Sequence, residues 1–392
     1  MATNNQEVRI QVKVLLCLLS DQHIPNLLSV HHFCPEQLIL LESEQMKSRN
    51  VAINFLNALK LGGLDYDSRF HIEPLEAEDL FSAVRQALQR AYGKFPSGDW
   101  FANLTGGTKP MSIATHEFFK AIGGKMVYTN VASPARLIDL ESGQTEDCGH
   151  LIGIKEFLAG YGFESRKADD KMAEAETRAT NWAFSAYLLA RDANEKDILV
   201  LDDAERERAR NKGIELSSDR FRFPNDELRN IWLGETSNRS LTKYEVEFLT
   251  GGWLEVFFWG VLTRHAESLG ISDVRLGLEV GRCGDKSGND FDVAFMHKHG
   301  LCMVECKSGA QNHDPGSDIL YKVEAVTRQF RALRVRSYLA TTGANILDKE
   351  NKIKSSLQTR ADIYQCRILV QGQIRELAKN MEDIQAVRQL IM

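Results

Sequence analysis

Asp292, Glu305 and Lys307 stand in the stretch "NDFDVAFMHKHGLCMVECKSG", Asn289 to Gly309, at a spacing that can do chemistry. Two apolar runs flank a His/Lys/Gly turn, the pattern of a β-hairpin, yet the second run carries Glu305 and Lys307. Charged groups rarely enter an apolar strand without a partner or a task. With the turn centred between Lys298 and His299, Asp292 falls directly opposite Glu305, and paired residues share a face. Lys307, two residues on, shares that face. Two carboxylates about 5 Å apart at Cβ repel unless one is protonated or a divalent cation bridges them. Oxygen ligands without a His or Cys partner suit Mg²⁺ or Mn²⁺. Such an ion activates water and stabilises charge on a phosphate, and Lys307 then orients or deprotonates that water or screens the transition state. The alternative is a buried structural Glu–Lys pair.

A second constellation lies near the N-terminus. In "NLTGGTKP" (Asn103 to Pro110), Gly106 and Gly107 allow close backbone approach, and Thr108 is a candidate N-cap. The helix start beyond it offers free N–H groups, Lys109 a charge and Thr105 a hydroxyl, together suited to phosphate. The spacing is not GxxxxGK[ST], which argues against ordinary ATP hydrolysis.

The elements that must position these residues follow from periodicity. The first 141 residues alternate strand-like runs ("VKVLLCLLS", "QLILLES", "RFHIEPL", "DWFANL", "KMVYTNV", "ARLIDLE") with helix-like ones, predicting a largely parallel sheet covered on both faces. Right-handed crossovers order the first four strands 3-2-1-4. The winding then reverses between strands one and four, where such folds bind ligands. The loops there are "SDQHIPN" (Ser20 to Asn26) and "NLTGGTKP". From Glu164 to Lys243 the chain is polar, and its charge run reads as a solvated helical face in a connector. "TKYEVEFLTGGWLEVFFWGVLTRHAESLG" reads as two helices joined near Gly251-Gly252, ahead of a three-strand meander. "DILYKVEAVTRQFRALRVR" reads as a helix whose Arg328, Arg331 and Arg334, with Lys352 and Lys354, offer a local basic surface for phosphate.

The chain has 392 residues, 43% hydrophobic, enough for two or three domains. A formal net charge of -6 argues against a constitutive nucleic-acid binder and for a local or gated polyanion site. The seven cysteines lack a CxxC pair, and even with Cys34 near His31 and His32 they read as buried thiols in a reducing cytosol rather than a zinc site. "MATNNQEVRIQVKV" lacks a signal-peptide core, and no apolar run approaches the roughly 18 residues of a membrane span. A soluble, cytoplasmic protein is expected.

Two resemblances follow. A strand ending in "LLSDQHIPNLL", with "NLTGGTKPM" some eighty residues on, resembles the CARF domain, the Rossmann-like sensor of CRISPR systems, over residues 8–145. That resemblance implies a homodimer binding a cyclic oligoadenylate through Ser20, Asp21, Gln22, His23, Ile24, Pro25, Asn103, Thr105, Gly106, Gly107, Thr108 and Lys109. "NDFDVAF…MVECKSG" resembles the PD-(D/E)xK nuclease core. It implies Asp292, Glu305 and Lys307 as catalytic residues, with Glu255 of "GGWLEVFFW" as a helical acid. The metal ligands it implies are Glu255, Asp292, Glu305 and Cys306. Asp290 replaces the glutamate of the related family's Asn-Glu-Leu-Asp, so its role stays open, and Glu279 is a weaker candidate.

The expected fold is α/β: a Rossmann-like CARF domain (1–145), a helical connector (146–242) and a restriction-endonuclease-like PD-(D/E)xK domain (243–392). This resembles the ancillary nucleases of type III CRISPR systems. It implies a Mn²⁺- or Mg²⁺-dependent endonuclease for DNA, RNA or both, activated by cyclic oligoadenylate and foremost by cyclic tetra-adenylate. Two other readings remain: a ligand-gated transcription regulator, which calls for a helix-turn-helix, and a sensor that degrades its own ligand, with His23 as base.

Overall fold

A computed structural model describes residues 13–96, 98–132, 135–193, 196–286, 288–309 and 335–391. The chain forms two compact units, residues 1–165 with 281–286, and residues 166–280 with 287–392. The stretch expected as a connector is therefore not a separate body. Residues up to Ser165 pack with the first unit, and those from Arg166 with the second.

In the first unit, seven strands run β1 (Val14–Leu18), β2 (Gln37–Ser43), β3 (Phe70–Leu75), β4 (Trp100–Asn103), β5 (Lys125–Asn130), β6 (Arg136–Asp139) and β7 (Thr145–Asp147). They assemble in the order β3-β2-β1-β4-β5-β6-β7. The first five pair in parallel, and β6 and β7 add antiparallel edges. β1 is "VLLCL", buried along its whole length, as a central strand covered on both faces must be. Helix Ile24–Phe33 follows it with Pro25 in its first turn, and helix Lys109–Ile122 follows β4 with Pro110 there. The expected order holds, and β1 and β4 are neighbours with their loops on the same sheet edge. A short strand, β8 (Phe163–Ser165), ends this part of the chain.

The second unit opens with the 24-residue helix Asp169–Asp192, whose buried face joins the apolar cluster formed around helix Trp253–Arg264. Tyr187 meets Phe257 edge-on at 5.8 Å. Helix Asp203–Lys212 carries the charge run, and β9 (Ile214–Ser217) pairs with β10 (Asn238–Leu241). The main sheet contains β11 (Ile271–Arg282), β12 (Asn289–His297), β13 (Gly300–Lys307), β14 (Val335–Thr341) and β15 (Cys366–Leu369). β11, β12 and β13 form the expected antiparallel meander, and β14 and β15 continue in parallel beyond β13. The last two strands were not foreseen. Of the helix expected over 318–336, residues 318–334 lie outside the described residues, Arg328, Arg331 and Arg334 among them. Val335 and Arg336 belong to β14 instead.

Candidate active site and sensor loops

The β12–β13 hairpin adopts the expected register, from His297↔Gly300 to Val293↔Val304. Lys298 and His299 both have positive φ, 52° and 58°, which is the backbone of a two-residue type I′ turn. Continuing the same register places Asp292 against Glu305. The ladder gives way there to a side-chain contact, the Cys306 amide donating to Asp292 Oδ2 at 2.6 Å. Glu305 is buried and its Oε1 lies 2.8 Å from Lys307 Nζ. On the other side, β11 sets Glu279 opposite Asp290.

Glu255 reaches this face through a local irregularity. Helix Lys243–Glu247 runs into a wide turn, Phe248–Gly252, before helix Trp253–Arg264 begins. Gly251 has φ 151°, and a Cβ there would lie 2.9 Å from Ser308 Oγ. Glycine lets the helix pass directly against the end of β13. A cavity of about 440 Å³ opens there, lined by Glu247, Glu255, Gly251, Lys307 and Ser308 and by Arg210 from the charged helix.

Charge in this cavity is unbalanced. Burial, reinforced by Asp292 and Glu247, pushes the Glu255 carboxyl up to about 8; Lys307 opposes the shift and Glu305 adds to it. Burial works against the Lys307 charge, but Glu305 and Asp292 more than offset it and raise its pKa. Lys307 therefore keeps its proton, which favours a role as a fixed cation over one as a base. The excess of carboxylates fits a hard divalent cation held by oxygens. Cys306 stands beside these carboxylates through its backbone, its amide donating to Asp292. Its side chain sits in the apolar core, and burial, then Asp292, Glu255 and Glu305, raise its thiol well above the usual range. What Cys306 can offer a metal is its backbone carbonyl, not sulfur.

Two cations escaped the sequence reading. Arg210 donates to Thr250 Oγ1 (3.2 and 3.1 Å) and to the Thr250 carbonyl (3.3 Å), at the rim of the cavity. Lys167 Nζ lies 2.8 Å from where a Cβ on Gly277 would stand, and the β11–β12 register sets Gly277 across from Asp292. A charged run or a lone lysine far away in sequence gives no sign of which member turns toward a site. Of the expected basic surface, Lys352 pairs with Glu350 at 2.8 Å and Lys354 is exposed.

The sensor loops contrast with this. Asn103 is fully buried, its Nδ2 donating to the Pro25 carbonyl, Asn26 Oδ1 and Ser29 Oγ at 2.9–3.2 Å. Thr105 donates its hydroxyl to Asn103 Oδ1 (2.7 Å) and accepts from the Thr129 amide (2.6 Å). Thr108 caps helix Lys109–Ile122 and donates to the Glu78 carbonyl at 2.9 Å. Ile24, Pro25 and His23 are buried. Desolvation drives His23 down to about 4 although Asp21 opposes it, so the imidazole is a poor base for ligand cleavage. These residues build the loops rather than offer free side chains. The exposed groups are Asp21, Gln22 and Lys109, with Ser20 and Gly107 half-buried and Asp21 held by Arg49. Gly106 is obligatory, because a Cβ there would lie 2.1 Å from the Leu18 carbonyl oxygen.

Two family models match the chain, described as "Card1 CARF domain" over residues 14–157 and "Card1-like, endonuclease domain" over residues 242–386. The protein is thus a CARF domain joined to an endonuclease domain. It belongs with the CARF nucleases of the Card1 kind, ancillary proteins of type III CRISPR defence. No curated protein matches it by sequence. Among solved structures it is similar to Can2 from Sulfobacillus thermosulfidooxidans in complex with cyclic tetra-adenylate, with 20% identity and TM-score 0.66 over 97% of this chain and 99% of that one. It is also similar to protein VC1899 from Vibrio cholerae, with 15% identity and TM-score 0.70 over 95% and 98% of the two chains. At these identities the likeness is one of fold.

Proposed function

We propose that the protein is a homodimeric, metal-dependent endonuclease that a cyclic oligoadenylate, cyclic tetra-adenylate foremost, switches on to cut DNA, RNA or both in the cytoplasm with little sequence preference. The observation that carries this is the convergence of Glu255, Asp292, Glu305 and Lys307 on one strand-and-helix face of an endonuclease domain that shares its chain with a CARF domain. Can2, similar over almost its entire length, was solved with cyclic tetra-adenylate. A two-fold symmetric ring needs two copies of the loops after β1 and β4, which is the reason to expect a dimer.

Asp292 and Glu305, with the Cys306 carbonyl and Glu255, would hold Mn²⁺ or Mg²⁺. When bound, the ion supplies an activated water and a Lewis acid for the scissile phosphate. Glu305 fixes the Lys307 ammonium at 2.8 Å, placing a cation where the phosphorane charge develops. Arg210, at the rim, steers the polyanion toward the cavity. In the sensor, Lys109 and the N-terminus of helix Lys109–Ile122 meet the ligand phosphates, and Gly107 lets them approach.

The test is incubation of the purified protein with plasmid, single-stranded DNA and RNA, in Mn²⁺ or Mg²⁺, with and without each cyclic oligoadenylate. Cleavage that requires both a metal and one ring is expected. Equal cutting without any cyclic oligoadenylate, or none under any condition, contradicts the reading.

A further inference from the structure

His31, His150 and Glu156 come together in the first unit. His31 Nε2 lies 2.8 Å from Glu156 Oε1, and His150 Nε2 lies 2.8 Å from Glu156 Oε2. One candidate ligand atom from each residue falls within 4.8 Å of the others. The two imidazoles stack nearly parallel, 3.4 Å apart at 8°. Glu156 is almost wholly buried at 2% exposure, so its charge has little help from water. Neither neighbour found in sequence joins in: His32 turns to Glu146 at 3.0 Å, and Cys34 Sγ donates to the His31 carbonyl. The partners of His31 instead arrive from more than a hundred residues away.

Gly62 supplies a second, independent feature. A Cβ at that position would stand 2.7 Å from His31 Nε2 and 2.8 Å from the Glu156 carboxyl, so only glycine leaves this side of the cluster open. Its φ of -78° is accessible to any residue, and so the backbone does not demand glycine. Space over the ligand atoms does.

We propose that His31, His150 and Glu156 form a binding site for a borderline divalent transition metal of the zinc class, separate from the hard-ion site of the endonuclease. Two imidazoles and one carboxylate suit such an ion and leave a fourth position to water. Mg²⁺, with its preference for oxygen, is poorly served by it. The ion takes the place of the two Nε2 protons that now face Glu156, each ring keeping one proton on Nδ1 and releasing any other to solvent, and the rings turn out of their stack so that both Nε2 lone pairs converge on it. It would tie the last turn of helix Ile24–Phe33, which begins at the ligand loop, to helix Ile154–Gly160.

The test uses the full-length chain carrying Asp292→Asn and Glu305→Gln, so that endonuclease-site metal does not contribute. Co²⁺ is titrated in by equilibrium dialysis and followed by its visible absorption, with circular dichroism as the folding control. One Co²⁺ per chain is expected, displaced by Zn²⁺ and not by Mg²⁺. His150→Gln, which keeps a donor to Glu156, should weaken binding at least tenfold, about the least expected when even a ligand's supporting partner is lost. Gly62→Ala should weaken it as well, by crowding the ligand atoms, while keeping all three ligand residues. Absence of Co²⁺ uptake, or uptake unchanged in both variants, overturns the proposal.

Discussion

The endonuclease hairpin and the sensor loops were both conspicuous in the sequence, yet the structure treats their residues differently. In the hairpin, Lys307 lines the cavity, and the Asp292 and Glu305 carboxylates stand beside it. In the sensor, three of the polar side chains singled out are consumed by the scaffold: Asn103, Thr105 and Thr108 each spend hydrogen bonds on neighbouring backbone or side chains. The cause is geometric. A strand has a period of two, so residues at 305 and 307 must share a face, and a tight turn fixes which residues oppose them. A loop has no such period, and its polar groups satisfy buried backbone as readily as they greet a ligand.

The largest expected effect belongs to the hairpin. Lys307→Ala removes the cation held by Glu305, and activated cleavage should fall by about 10²–10³-fold, the loss typical of one transition-state electrostatic contact. Binding of cyclic oligoadenylate, read by calorimetry, should not change. A variant cutting within threefold of wild type would return Glu305 and Lys307 to the status of a structural pair.

Next comes Gly106→Ala, which breaks the sensor through its scaffold. The added Cβ would stand 2.1 Å from the Leu18 carbonyl, so both ligand binding and thermal stability of the first unit should drop together. Lys109→Ala, by contrast, removes an exposed group only. A hydrogen bond to a charged group contributes about 1.5–3 kcal/mol, so affinity for cyclic oligoadenylate should weaken about ten- to a hundredfold with the melting temperature unchanged. Equal behaviour of the two variants would erase the distinction between scaffold and contact.

Much of the fold was legible, for identifiable reasons. The apolar run that holds "VLLCL" and the alternation of strand-like with helix-like segments announced the doubly wound sheet. The meander followed from "FMHKHG", where the positive φ of Lys298 and His299 closes the turn. β14 and β15 were missed because parallel strands beyond a crossover leave no turn signature. Glu255 was found through a family pattern, but its approach depends on the wide turn at Phe248–Gly252, which helical periodicity does not reveal. Arg210 and Lys167 were invisible for another reason: a solvated charge and a site charge look alike in one dimension. The His31–Glu156–His150 cluster joins segments too distant for any spacing rule.

A subtler contrast lies in pH dependence. Burial and neighbouring carboxylates raise the folded-state pKa of Glu255 to about 8, above its unfolded value near 4.5. The neutral form is favoured in the fold, so its contribution to stability is complete below the unfolded pKa and is lost as pH rises through the folded one. Metal-free protein should therefore lose thermal stability between about pH 5 and 8, and Glu255→Gln should remove that component. Identical pH profiles for the two proteins would contradict it. Smallest of all, Arg210→Ala should raise KM for nucleic acid only a few-fold, since exposed charge contacts contribute about 0.2–1 kcal/mol. The change should shrink further at high salt.

The central claim is that one chain holds a ligand site and a cutting site made of different residues. It is tested most directly by measuring, on the same preparations of Asp292→Asn and Glu305→Gln, cyclic tetra-adenylate affinity by calorimetry and activated cleavage of plasmid and single-stranded substrates in Mn²⁺. The account predicts wild-type affinity with cleavage abolished in both variants. Cleavage at the wild-type rate in both would contradict it.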